Sequence, residues 1–360
     1  MARSAMRASD RDRAAASVEK LGRQGLAPGA FRTESVKLLR SLLSVDAAFF
    51  ASVDPATLLF TSALAEEPLA GATPQFLENE FARVDVNKFA RLAASSESVA
   101  SLDLATGGDR ADSARYREVL APLGLGDEVR VALMSGGNCW GVLCLHREAS
   151  ALGFDGSELA LLRGLAPHVA DGLRVSDVLS AAGGADAVAD GPGIIILDAG
   201  LSVVSINGQA ERWLSDLVDA DWPDQLDLPF PILAVAAQVA GLNEGAAPTS
   251  PPTRLRRGSG GWISVHASTL DGVGGRQVAI VLDEAGSAQV SSLVLAAHGL
   301  TPAQSRVVAL VVQGRSTRSI VAELHISSNT LQEHLRAVFD KLGIGSRREL
   351  VAVLTGRPRP

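Results

Sequence analysis

The stretch HISSNTLQEHLRAVFDKLG, residues His325 to Gly343, decides how the C-terminal part of the chain is read. Leu331, Leu335, Val338, Phe339 and Leu342 recur at helical spacing, which seats one face of a helix on a core. The opposite face carries Asn329, Gln332, Glu333 and Arg336, side chains that suit either base edges or solvent. Flanking punctuation extends the pattern in both directions. Thr301-Pro302-Ala303-Gln304 reads as a capping box with proline at the first helical position, and Gly314 closes that helix. A short helix follows over Thr317–Leu324, without a strong cap. Ser327 caps the quoted helix, Gly343 ends it, and Ser346-Arg347-Arg348-Glu349 is a second capping box that opens a fourth helix through Leu354. Short turns between these helices make a helix-turn-helix arrangement.

Charge sets this segment apart. From His298 to Pro360 nine Lys and Arg face four acids, a balance of +5, which leaves −12 on the other 297 residues of a chain whose formal charge is −7. A basic segment on an acidic body is what contact with nucleic acid predicts, with a solvated charged face as the plainer reading. A length of 360 residues and a 47% hydrophobic, 20% charged composition suit two or three soluble domains. Two cysteines, Cys139 and Cys144, make no disulfide framework and suit a reducing cytoplasm. Their odd spacing on a strand points them to opposite faces, as core thiols with no metal between them. His146 and His266, also on strands, read as structural. No apolar run is long enough to cross a bilayer, and the N-terminus has no secretory h-region. It reads as a loose tail or a frayed helix over residues 1–30.

Upstream, residues 31–180 read as an α/β unit. A helix over FRTESVKLLRSLL leads into the strand VDAAFFASVD, and DEVRVALM and CWGVLCLHR form a hairpin around Ser135-Gly136-Gly137-Asn138. The polar stretch SSESVASLDLATGGDRADS reads as loop. The helix after Phe154 is expected to kink or restart at Pro167. Residues 181–192 read as a linker. A second, smaller α/β unit over 193–284 opens with two β-runs in GIIILDAGLSVVSING and a helix around AERWLSDL, and ends with the strands TRLRRG, GWISVHAS and RQVAIVLD. Residues 285–297 read as a connecting helix.

The C-terminal residues resemble the LuxR-type DNA-binding domain. The resemblance spans about 55 residues and rests on Leu300-Thr301-Pro302, Gly314, Ile320, Leu324, Ile326-Ser327, Thr330, His334-Leu335 and Lys341-Leu342-Gly343. Gln304, Val321, Ser328, Asn329 and Gln332 depart from residues common in that family and lower the charge of the recognition face. The resemblance implies that Leu331 to Leu342 is the recognition helix, that Gln332, Glu333 and Arg336 read bases, and that the fourth helix helps pair two copies on a two-fold operator. Gln suits adenine, Glu the cytosine amino group and Arg guanine. Arg318, Asn329, Thr330 and Lys341 are the phosphate candidates. The plainer readings are a solvated helix charge for Glu333, a helix cap for Thr330 and a residue packed between helices for His334.

Residues 31–180 resemble a GAF domain, carried by Val45–Val53, RVALMSGGNCWGVLCLHR and the helix after Phe154. Residues 193–284 resemble a PAS domain through the spacing of Asp198, Asn207 and Ala210. The fold class expected is therefore multidomain α+β: GAF-like and PAS-like α/β sensor domains, then an all-α four-helix LuxR-type helix-turn-helix domain over 298–356. No motif supplies catalysis, so an enzyme is not expected, and no cofactor is indicated. The partners expected are double-stranded DNA, a small-molecule ligand in the GAF-like or PAS-like domain, a second copy of the chain and RNA polymerase, with no membrane. The rival expectation is a protein-interaction scaffold whose helical C-terminal domain contacts a partner protein rather than DNA.

Overall fold

Full burial of every residue in the strand Ala47–Val53 explains why its sequence does not alternate: both faces of the sheet are covered here. The computed structural model describes residues 8–178, 191–217, 228–241, 252–272 and 275–354. The first domain runs α1 (Ala8–Gly22), α2 (Pro28–Leu42), β1 (Ala47–Val53), β2 (Phe60–Ala65), α3 (Thr73–Ala82), α4 (Phe89–Ala94), β3 (Val99–Ser101), α5 (Leu102–Ala105), β4 (Leu125–Ser135), β5 (Asn138–Glu148) and α6 (Gly156–Asp177). Its antiparallel sheet has the order β2-β1-β5-β4-β3. Gly136 and Gly137, at φ 59° and 79°, make the two-residue turn between β4 and β5, a conformation that favours glycine at both positions. Phe50, Val129, Leu133 and Leu143 pack one sheet face against α2 and α6.

Three expectations change here. Residues 8–22 are not a loose tail: Ala14 and Val18 of α1 are buried, and Gly22 meets Gly172 of α6 so closely that a Cβ at Gly22 would lie 3.0 Å from the Gly172 Cα. The polar stretch after Ser95 is not all loop, because Val99 and Ser101 pair with Val131 and Val129 to make β3. The helix after Phe154 neither restarts nor divides at Pro167, and runs as one element from a complete capping box between Asp155 and Glu158.

The second domain comprises β6 (Gly193–Leu197), β7 (Val203–Ile206), α7 (Gly208–Ser215), α8 (Phe230–Gly241), β8 (Thr253–Arg256), β9 (Trp262–Gly272) and β10 (Gly275–Glu284). Its sheet order, β7-β6-β10-β9-β8, repeats that of the first sheet strand for strand. Of the expected linker at 181–192, only residues 191 and 192 fall within the described residues.

These two domains, read from sequence as separate, share one core. Phe49, Phe60 and Leu77 of the first join Ile195, Val265 and Ile280 of the second in a single apolar cluster, with α8 supplying Phe230, Ile232 and Leu233. Helix α8 is buried from Phe230 to Ala237 and again at Val239. At its end a Cβ on Gly241 would lie 2.8 Å from the Phe81 carbonyl oxygen, so glycine is what lets α8 touch the end of α3. A buried ion pair adds direction to this apolar joint. Asp54 Oδ2 accepts from the backbone N and the Nε of Arg254 at 2.8 and 2.7 Å, and its other oxygen takes Arg254 Nη2. Thr57 and Thr253 meet through their hydroxyls at 3.2 Å.

The remaining helices form a body of their own: α9 (Ser287–Ala297), α10 (Pro302–Val312), α11 (Thr317–Leu324), α12 (Ser328–Leu342) and α13 (Arg347–Leu354). The expected connecting helix belongs to this body. Leu295 of α9 joins its core, and Ser291 Oγ donates to the Leu354 carbonyl at 2.8 Å.

Removing one member of the Asp54–Arg254 pair strands a buried charge. Asp54→Ala is expected to cost about 3–5 kcal/mol in urea unfolding, and the Asp54→Ala, Arg254→Met double variant to recover most of it. Equal losses in the single and double variants would show that the pair is not what the joint requires.

Candidate nucleic-acid interface

Helix α11 begins where the Ser316 side chain accepts from the Ser319 N–H at 3.2 Å, a cap that the sequence reading did not anticipate. It ends at His325, which sits in the left-handed region at φ 52° and returns its N–H to the Val321 carbonyl. Ser327 then accepts from the Thr330 N–H at 3.0 Å and starts α12. The turn between the two helices is therefore three residues, His325 to Ser327, pinned at both ends.

Helix α12 buries Leu331, Leu335 and Val338 against α10 and α11. The face opposite leaves Asn329, Gln332, Glu333 and Arg336 exposed, and Arg318 is exposed in the first turn of α11. Among the described residues none of these five side chains makes a hydrogen bond or ion pair, so their polar ends are free for an external partner. Thr330 differs: its Oγ1 lies 2.9 Å from Ser327 Oγ, inside the helix cap. Lys341 differs more. Its ammonium donates to the Gly299 carbonyl at 2.7 Å and to Gln304 Oε1 at 2.8 Å, while its own carbonyl lies 3.2 Å from His298 Nδ1. Lys341 thus ties the end of α12 to the capping box of α10.

A second polar cluster lies in the first domain, on the sheet face turned toward α3 and α4. Glu128 Oε2 accepts from Arg115 Nε at 2.7 Å and Oε1 from Arg130 Nε at 3.1 Å. Arg130 Nη1 donates to Glu80 at 2.6 Å, and its guanidinium lies 4.5 Å above the Phe89 ring. Burial pushes the Glu128 carboxyl up, but Arg115 and Arg130 outweigh it and hold the group at about 2. Burial holds His146 down at about 4. A small cavity of about 20 Å³ opens beside the cluster, bounded by Phe49, Phe76, Arg115, Glu128, His146 and Phe230. Of these only His146 was singled out from sequence. The signal was present in DEVRVALM, where Asp127, Glu128 and Arg130 interrupt a strand that is otherwise apolar.

Potential ligand atoms of Glu128, Cys144 and His146 lie within 4.8 Å of one another. The set does not suit a cation, because two guanidiniums already occupy the carboxylate and burial keeps the Cys144 thiol protonated. Cys139 and Cys144 both belong to one apolar cluster, so the alternation expected from their spacing does not separate them.

With this geometry in hand, comparison with known proteins gives two family matches. Residues 298–354 match the model for bacterial regulatory proteins of the luxR family, and residues 31–173 match the model for the GAF domain. The chain carries a LuxR-family helix-turn-helix domain and, ahead of it, a GAF domain. Over 61 residues, 17% of the chain, it is 43% identical to HTH-type transcriptional regulators of Mycobacterium bovis and Mycobacterium tuberculosis. The match spans only 7% of the length of those relatives. Among solved structures, the phycoerythrobilin-bound GAF domain of a cyanobacterial phytochrome aligns at 17% identity and TM-score 0.32, over 45% of this chain and 93% of that one. A GAF domain/HD domain protein from Geobacter sulfurreducens aligns at 15% identity and TM-score 0.29, over 45% and 95%.

Two outcomes follow from these local geometries. A non-glycine residue in the left-handed region is strained, so His325→Gly is expected to raise stability by about 1 kcal/mol in urea melts, and a loss would mean the imidazole itself supports the turn. The unfolded chain takes up a proton at His146 between about pH 6.5 and 4 that the folded chain refuses. Stability should therefore fall as pH drops through that window, by up to about 3 kcal/mol, and His146→Gln should flatten the fall. A variant with the wild-type slope would place the titration elsewhere.

Proposed function

We propose that this chain is a transcription regulator whose helix α12 reads the major groove of a two-fold operator and whose N-terminal domains sense a ligand. One observation carries the reading: within the residues matching the luxR family, α12 presents Gln332, Glu333 and Arg336 together, exposed and without partners, on a helix capped at both ends. Each has a base it fits: Gln332 adenine, Glu333 the cytosine amino group, Arg336 guanine O6 and N7. Arg318 and Asn329 lie where phosphate contacts would fix the register, helped by the amide N–H groups at the start of α11. Thr330 supports the cap, and Lys341 acts from within, holding α12 at its angle.

Two copies of α12 would read two half-sites, with α13 in the pairing surface, and RNA polymerase would be the downstream partner. Residues 193–284 serve as a PAS-like sensor in this reading. Asn207 supports it, since its side chain accepts from both Ile194 N and Ala210 N at 2.9 Å, as does Asp198, which accepts from Gly200 N and Ser202 N. The regulator works in the cytoplasm and carries out no catalysis of its own. Ligand acts by population shift, altering DNA affinity only as far as it prefers one arrangement of the body.

The test is selection of DNA from a randomised half-site library at two salt concentrations. Arg336→Ala and Gln332→Ala should each lose about 1–3 kcal/mol of specific binding and relax one base position. Arg318→Ala should weaken all sequences alike and make the salt dependence shallower. Glu333→Ala should tighten non-specific binding while losing discrimination at one cytosine. Unchanged binding in the Arg336 and Gln332 variants, with the helix folded, would overturn the reading in favour of a protein partner.

A further inference from the structure

The cavity beside the buried charge cluster belongs to the GAF domain, yet one of its walls comes from the second domain. Phe230, the first residue of α8, reaches between the sheets and stacks on Phe60 at 5.4 Å, with its edge to Phe49 at 5.8 Å. With that ring in place about 20 Å³ remains, room for roughly one water molecule. The polar side of the cavity is nonetheless incomplete. Arg115 Nη2 and His146 Nδ1 are buried without a hydrogen-bond partner, and both residues line the cavity. Buried donors left unmet cost free energy that an incoming acceptor recovers.

We propose that the Phe230 ring occupies a ligand subsite of the GAF domain, and that the ligand is an uncharged, ring-bearing molecule that presents a carbonyl oxygen to Arg115. The proposal rests on the sensor reading above and gives that site a ligand class. The ring requirement comes from the walls: Phe49, Phe60 and Phe76 surround the space that Phe230 fills, and aromatic faces at these separations favour another ring. The lack of charge comes from the balance of the cluster. Arg115, Arg130 and Lys88 already face Glu128, Glu80 and Asp85, and the Glu128 carboxylate is itself part of the lining. An added anion would lie beside that carboxylate with no positive charge left to answer it. An added cation would meet two guanidiniums. A neutral carbonyl oxygen satisfies the free Arg115 N–H and disturbs neither balance. Because Phe230 opens α8, and α8 packs on β9 and β10, a ligand that takes its place acts directly on the second domain.

Phe230→Ala in the full chain removes the ring and leaves a void of its shape beside Phe49 and Phe60. Calorimetry with benzamide, benzoate and toluene as probes reads the proposal. Benzamide is expected to bind Phe230→Ala about tenfold more tightly than wild type, and more tightly than either toluene, which lacks the acceptor, or benzoate, which adds the charge. Phe230→Leu, with a smaller void and less risk to folding, is expected to give the same ranking with a smaller gain. Equal benzamide affinity in wild type and both variants would overturn the subsite. Benzoate or toluene binding as well as benzamide would overturn the ligand class. No arm of this experiment contains DNA, so a failure of operator binding and a failure of the subsite are read separately.

Discussion

The body of this protein depends on one apolar helix between two sheets. Helix α8 offers no polar face: Phe230, Ile232, Leu233, Val235 and Val239 are all buried, some toward the first domain and some toward the second. A helix that is hydrophobic all round has no stable place at a surface. Each fully buried large apolar side chain is worth about 1.5–3 kcal/mol relative to exposure. Neither sheet alone could cover such an element. The charged pair of Asp54 and Arg254 works differently. Taking both groups out of water offsets most of their attraction, so the pair fixes which residues face each other rather than supplying the bulk of the stability.

The helical body divides its labour along α12. Buried Leu331, Leu335 and Val338 fix the helix, while Ser327 and Gly343 fix its ends. Lys341 then fixes its tilt by reaching to Gly299 and Gln304. Holding these points leaves Gln332, Glu333 and Arg336 with nothing to do inside the protein. In the proposed reading, a rigid element with free polar side chains on one face suits direct readout of bases, because each bidentate contact tolerates little misplacement. The acid Glu333 is compatible with this only if neighbouring cations and helix N-termini hold the phosphates.

How much could be read beforehand follows from which signals are local. The helical body was legible nearly residue by residue, because caps and left-handed stops act within one turn: Thr301 with Gln304, Gly314, Ser327 and Gly343 all appear where the sequence places them. In the first domain the β4–β5 hairpin was legible from Ser135-Gly136-Gly137-Asn138, whereas the pairing of β1 with β5 and of β3 with β4 joins segments far apart in sequence. Helix α8 escaped because FPILAVAAQVAG is apolar but for Gln238, and periodicity cannot reveal a helix without a polar stripe. The packing of α1 escaped for the opposite reason, since its polar and charged residues hide the two positions, Ala14 and Val18, that are buried. The hydrogen bonds of Lys341 to Gly299 and Gln304 were not visible because these partners lie 42 and 37 residues away in sequence. The cluster of Arg115, Glu128 and Arg130 was likewise assembled by tertiary contact, although the charges within β4 marked that strand as unusual.

The two sheets share one core, joined through α8, and the helix-turn-helix body keeps a core of its own. Native-state hydrogen exchange on the full chain tests this most directly, since amides that open together share one opening free energy. Amides of β1, β5, β9, β10 and α8 are expected to exchange through a single opening as denaturant rises, with α10 and α12 following a different one. If β9 and β10 exchange through an opening of lower free energy while β1 and β5 stay protected, the sheets do not share a core and the account is contradicted.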